Sequence, residues 1–222
     1  MNAILKSFLL VNFLLIVSSA GAFCQSKETF LGIEGGGGVS FVRNYFFSSV
    51  SGNLSMNYNV GIFGQFPLNK TLAIKPVVAI HEKGYAEENS SNTKNLLFLD
   101  IPVLLKISFG PKKYFYFETG PYFAYLIRAE SKNSFASGEE TSNSYNNYRH
   151  FDGGLALGFG AMFPVYKNLN LSVDIRDEYG FCDIQEKYLQ YDLHGNSYNA
   201  TTPYYTNSTF LNIGIAYRFG SD

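Results

Sequence analysis

The 222-residue chain has room for one large domain, and 17 lysines and arginines against 18 acids give it neither a basic face for nucleic acid nor a charged tail. Tyr (17), Phe (21) and Gly (21) are abundant while Trp is absent, a bias that suits a β-protein in contact with something apolar. Beyond residue 26 no apolar run is long enough for a membrane helix, so any crossing of a bilayer has to be by barrel.

Residues 1–26, MNAILKSFLLVNFLLIVSSAGAFCQS, set a lone Lys6 before an apolar core over 8–17 and then small residues, the layout of a secretory signal peptide. Ala22 and Cys24 fit the small-residue positions of a cleavage site, so 1–24 reads as leader and 25–222 as one barrel domain. In a lipoprotein reading Cys24 would be acylated, but the bulky Phe23 before it argues against that. Without Cys24 only Cys182 remains, and no intramolecular disulfide forms. Without Lys6 the count is 16 bases against 18 acids.

From there the apolar period is two, strand after strand. The first, near 30–42, turns Leu31, Ile33, Val39 and Phe41 away from Glu34 and is interrupted by GGGG at 35–38. Over 55–68, Met56, Tyr58, Val60, Ile62 and Phe66 oppose Asn57, Asn59 and Gln65; over 71–85, Leu72, Ile74, Val78 and Ile80 oppose Lys75, His81 and Lys83. LLFLDIPVLLKISFG, at 96–110, aligns its odd-numbered residues from Leu97 to Phe109 on one face and sets Asp100 and Lys106 on the other. Phe115, Phe117, Phe123, Tyr125 and Ile127 oppose Tyr116, Glu118, Tyr122 and Arg128. The last three strands carry Phe151 to Phe163 against Asp152 and small residues, Leu169 to Ile175 against Ser172, Asp174 and Arg176, and Leu211 to Phe219 against Asn212, Gly214, Ala216 and Arg218. Eight strands of about the 9–11 residues that cross a membrane result.

Short connections (69–70, 110–113, 164–168) alternate with long polar ones rich in Ser, Asn and Tyr (44–53, 86–95, 129–149, 181–206). Short turns at one rim and long loops at the other are the outer-membrane layout. A soluble, lipid-carrying barrel would show the same alternation turned inside out. Residue size separates the two, because the polar face is crowded with Gly and Ala, as the narrow lumen of an eight-stranded barrel requires. Charge balance points the same way. Glu34, Asp100, Glu118, Asp152, Asp174 and Glu178 share that face with Lys75, Lys83, Lys106, Arg128, Arg176 and Arg218, six acids to six bases, and charges in a closed lumen have to pair. The expected fold is therefore an all-β, eight-stranded antiparallel up-and-down transmembrane β-barrel, its lumen plugged by that charge network.

The stretches LDIPVLLKI (99–107), YFETGPYFAYLI (116–127), FDGGLALGFGAMF (151–163) and LSVDIRDEYGF (171–181) resemble the PorT-like outer-membrane β-barrel proteins of Gram-negative bacteria. At 180–184 this chain reads GFCDI where that family tends to read Gly-Leu-x-Asn-Ile, a partial match. The resemblance implies an outer-membrane barrel, and for the family's namesake a link to protein secretion, which fold alone does not transfer.

Signals of chemistry are weak. The glycines at 35–38 precede no Gly-Lys-Ser/Thr, and those at 153–160 lie within a strand, so neither is a nucleotide loop. His150 and Asp152 at the loop rim could serve a rim hydrolase, but no triad or metal-ligand spacing supports one. Tyr145, Tyr148, Tyr188, Tyr191, Tyr204 and Tyr205 could stack against a sugar or a protein, or form part of an interfacial girdle. The expectation is a non-enzymatic monomer of the outer membrane, without cofactor or metal, with lipid around it and a protein or glycan partner at its loops. Envelope structure, adhesion, or service to a secretion or uptake system would be its task, with a soluble lipid-binding barrel or a small pore as alternatives.

Overall fold

Period-two alternation sends one set of side chains to each face of a strand, and a sheet with one bulky apolar face and one small, charged face gains by closing on the latter. The computed structural model describes residues 28–43, 50–86, 92–135, 138–186, 189–191, 197–199 and 203–220. The expected leader, 1–24, lies outside them. The strands are β1 (Thr29–Arg43), β2 (Val50–Pro67), β3 (Leu72–Ala86), β4 (Asn92–Phe109), β5 (Phe115–Phe135), β6 (Gly138–Asn143), β7 (Phe151–Tyr166), β8 (Leu169–Gly180), β9 (Leu189–Tyr191), β10 (Ser197–Asn199) and β11 (Tyr205–Phe219). Eight of them, β1, β2, β3, β4, β5, β7, β8 and β11, pair antiparallel with their neighbours in that order. Closure comes from the β1–β11 ladder, which runs without a break from Thr29↔Phe219 to Arg43↔Tyr205.

One rim carries tight turns whose local chemistry is readable. Asn69 Oδ1 accepts from the Thr71 and Leu72 amides at 2.8 and 2.9 Å and turns β2 into β3. Gly110 and the turn Pro111–Lys113 join β4 to β5, and Lys167 and Asn168 alone join β7 to β8. The other rim departs from expectation. β5 runs through the expected loop to Phe135 and returns as β6, while β2 and β4 begin inside the stretches 44–53 and 86–95. Above the apolar band, ladder hydrogen bonds continue without any apolar face to reveal them, so the extension has no hydrophobic period.

Outward, Leu31, Ile33, Val60, Ile62, Phe123, Phe159, Ile175, Ile213 and Ile215 are each at least half exposed. A water-facing surface does not carry so continuous an apolar belt, whereas a lipid-facing one requires it. Inward, long side chains lie over directly paired glycines: Tyr116 on Gly160, Glu118 on Gly158, Tyr122 on Gly154. A Cβ at those glycines would come within 2.8 Å of Tyr116 Cζ, 2.7 Å of Glu118 Cγ and 2.8 Å of Tyr122 Cε1. Gly36 likewise lies against the Asn212 side chain, so the glycine run of β1 makes room within the lumen.

Gly160→Val is therefore expected to lower the unfolding free energy in detergent micelles by about 1–3 kcal/mol through overpacking. Gly37→Ala, whose added carbon would meet only the Asn57 carbonyl at 3.7 Å, should leave the urea midpoint unchanged. Equal midpoints for both variants would contradict the packing account.

Candidate functional site

The lumen is built in two charged layers under an apolar cap. In the lower layer, Arg176 from β8 holds Glu34 of β1 through Nη1 at 2.7 Å and Glu118 of β5 through Nη2 at 2.8 Å. Lys75 of β3 closes the ring from the other side, 2.8 Å from Glu34 and 3.4 Å from Glu118. Four alternating charges from four strands thus form one cycle, in which each carboxylate is shared by two cations. Asp174 lies 3.6 Å from Arg176 and accepts hydrogen bonds from Tyr116 at 3.0 Å and Asn212 at 2.9 Å. Asn212 in turn accepts from Asn59 at 3.0 Å. Lys106 takes no carboxylate within ion-pair distance among the described residues. It donates to Gln65 at 2.9 Å and sits 3.8 Å from the centre of the Tyr116 ring, so an amide and a π face hold it.

The upper layer gathers Asp100 of β4, Asp152 of β7 and Glu178 of β8 around Lys83 of β3 at 3.8, 3.6 and 3.1 Å. His81 joins them with Nδ1 at 3.3 Å from both Asp100 and Glu178. Asp152 is fixed by Thr206 at 2.6 Å, Tyr122 at 3.2 Å and its neighbour's amide, Gly153, at 2.8 Å.

Above this layer the chain folds over its own mouth. The Tyr148–Gln185 bridge and the Arg149-to-Ile184 and Ile184-to-Tyr204 amide hydrogen bonds bring two loop segments together. They bury Ile184 completely and pack it in one cluster with Tyr85, Tyr148, Leu96 and Leu126. The Tyr85 and Tyr148 hydroxyls meet at 2.9 Å. Of the tyrosines expected at the loops, Tyr148 is thus a buried part of the cap and Tyr204 packs against it; Tyr188 and the Tyr191 side chain lie outside the described residues.

Outside the rim, Tyr145 stacks on His150 with ring centres 4.5 Å apart. Arg128, Asn143, Tyr145 and Asn147 line an open depression of about 510 Å³ beside them. His150 is exposed while Asp152 is buried in the lumen with its oxygens engaged, so the two are not disposed as a catalytic pair.

Residues 23–186 match the family model described as outer membrane protein beta-barrel domain. The chain belongs to that family. Its place is the outer membrane of Gram-negative bacteria, which overturns the soluble lipid-binding alternative. No curated protein matches the chain significantly in sequence. Among solved structures it is similar to the Pseudomonas aeruginosa outer membrane protein OprG at 12% identity, covering 88% of this chain and 97% of that one, with a TM-score of 0.49. It is also similar to Neisserial surface protein A at 10% identity, 87% and 98% coverage and a TM-score of 0.45. The attachment invasion locus protein Ail of Yersinia pestis follows at 14% identity, 88% and 100% coverage and a TM-score of 0.41.

For a member of this barrel-domain family the lumen holds ten of the twelve charged residues expected there: Glu34, Lys75, Lys83, Asp100, Lys106, Glu118, Asp152, Asp174, Arg176 and Glu178 are all buried. Arg128 and Arg218 are corrections. The β4–β5 register slips between Leu97↔Arg128 and Phe98↔Leu126, which makes Ile127 an extra residue and turns Arg128 outward, 57% exposed and 3.5 Å from Glu130. Arg218, next to last in β11, lies at the short-turn rim, where it meets Glu28 at 3.3 Å. His81, Tyr116, Tyr122 and Thr206 are site residues that charge counting missed. Their parity on β3, β5 and β11 was the available signal.

Glu118→Gln keeps the shape and removes a charge shared by Lys75 and Arg176. It should cost about 3–5 kcal/mol of unfolding free energy, because it strands buried cations. Arg128→Met and Arg218→Met should leave the urea midpoint in micelles unchanged. A Glu118→Gln barrel as stable as its parent would mean that the ring does not carry the fold.

Proposed function

We propose that the protein is a monomeric, non-enzymatic outer-membrane barrel with a filled lumen, acting through its external loops. Envelope structure, adhesion and service beside a secretion or uptake system are the tasks open to such a barrel. In each of them the loops would meet a protein or a glycan as partner. The observation that supports the reading is the continuous filling of the lumen: the ring at Arg176, the Lys83 cluster and the cap over Ile184 leave the long-loop rim as the surface free to meet a partner. At that rim Arg128, Tyr145 and the asparagines beside them combine a charge, a stacking face and amides, the donor set that suits sugars and polar protein surfaces alike.

The rival reading is a small pore, and conductance separates the two. In planar lipid bilayers the refolded protein is expected to give no stable channel at moderate voltage. A steady open level, reduced by changes at Lys83 or Arg176, would contradict a filled lumen.

A further inference from the structure

With Arg128 and Arg218 outside, the buried charges among the described residues are six acids against Lys75, Lys83, Lys106 and Arg176 within the lumen and Arg43 at its rim. The deficit is local. In the lower layer Glu34, Glu118 and Asp174 are balanced by Lys75, Lys106 and Arg176, whereas in the upper layer the ion pairs of Asp100, Asp152 and Glu178 among the described residues go to Lys83 and an imidazole, His81. The other buried cation near this end, Arg43, stacks 3.5 Å from the Tyr179 ring centre and donates to the Gly180 carbonyl at the rim. With a neutral imidazole, Asp100, Asp152 and Glu178 share the one ammonium of Lys83 among the described residues, in a space that disfavours any uncompensated charge.

The geometry indicates what can compensate these carboxylates. His81 Nδ1 stands 3.3 Å from Asp100 Oδ2 and 3.3 Å from Glu178 Oε2. One ring N–H can reach both acceptors only as a shared, bifurcated bond, and 3.3 Å exceeds the usual N–H···O separation of about 2.7–3.2 Å. The same 3.3 Å is about the edge of a tetrahedron whose corners lie about 2.0 Å from its centre, the bond length of zinc to imidazole and carboxylate. One ligand atom from each of the three residues lies within 4.8 Å of the others. A buried oxygen there, Asp100 Oδ1, receives no hydrogen bond among the described residues.

We propose that His81, Asp100 and Glu178 form a lumenal site for a divalent transition-metal ion of the zinc class. The ion brings the layer to neutrality, and Lys83 keeps Asp152 as its partner. Imidazole with two carboxylates is a donor set such ions accept. The edge-on contact with Phe210, ring centres 4.9 Å apart, holds the imidazole in place. His81 and Asp100 stand on the neighbouring strands β3 and β4, and Glu178 stands on β8 across the barrel. A bound ion therefore ties opposite walls together, and its binding adds to stability. Because the cap closes the mouth above, loading accompanies folding.

The test is to refold the full-length barrel into micelles with zinc chloride, or with a chelator, then to desalt and measure zinc by elemental analysis. The proposal expects about one zinc per barrel and a higher urea midpoint than the chelator-treated sample. His81→Gln and Glu178→Gln should retain less than about a tenth of that zinc, and His150→Ala should retain all of it. Folding of each variant is read separately from heat-modifiable gel migration. A parent barrel with no stoichiometric zinc, or variants that hold as much as the parent, would overturn the site. If both variants fail to fold, the spectrum of the cobalt(II)-loaded parent decides: a tetrahedral visible band supports the site, and the spectrum of the aqueous ion overturns it.

Discussion

Arg176 is the residue on which the rest of the lumen depends. It is 2% exposed, and its planar guanidinium reaches Glu34 and Glu118 together while Lys75 completes the cycle. A lysine there would offer a point charge without the fork that spans two carboxylates. Each member is affordable only because the others are present, since isolated charges in so narrow a space would not stay ionised. The ring therefore constrains four strands at once, and with them the register that places everything above it.

The room for the ring comes from glycine. An eight-stranded barrel has an interior that side chains just fill, and here the large ones lie over residues that have none. Tyr116 over Gly160 and Glu118 over Gly158 are directly paired across the β5–β7 ladder, so width, register and charge placement are one problem with one solution. Outside, the same strands need only bulk and apolarity. That is why the outer face tolerates Leu, Ile, Val and Phe in almost any order while the inner face does not.

The sequence made the strand count and the two faces legible because both rest on a period of two that persists through each membrane-crossing segment. It did not reveal the extended β5–β6 hairpin, whose residues lie above the apolar belt and pair through backbone alone. Arg128 shows the limit of parity, since one extra residue at Ile127 reverses every position beyond it. Arg218 shows another, because a residue at a strand end can stand on the inner face and still leave the lumen. His81 shares the inner face with Lys75 and Lys83 by parity, and it stands between two carboxylates that no tally of charges pairs with it. Ile184, in the stretch that only partly fits the PorT-like pattern, turns out to be the centre of the cap.

The lumen is occupied below by the charged ring and above by aromatic and aliphatic side chains, and both depend on the register that the ring fixes. A double-mutant cycle between Glu34 and Arg176, with Glu34→Gln and Arg176→Met measured singly and together in micelles, tests that account most directly. The account predicts a coupling of about 1–3 kcal/mol, with the double variant losing much less than the sum of the singles. A coupling near zero would contradict it, since the two side chains would then contribute independently and the ring would not hold the lumen together.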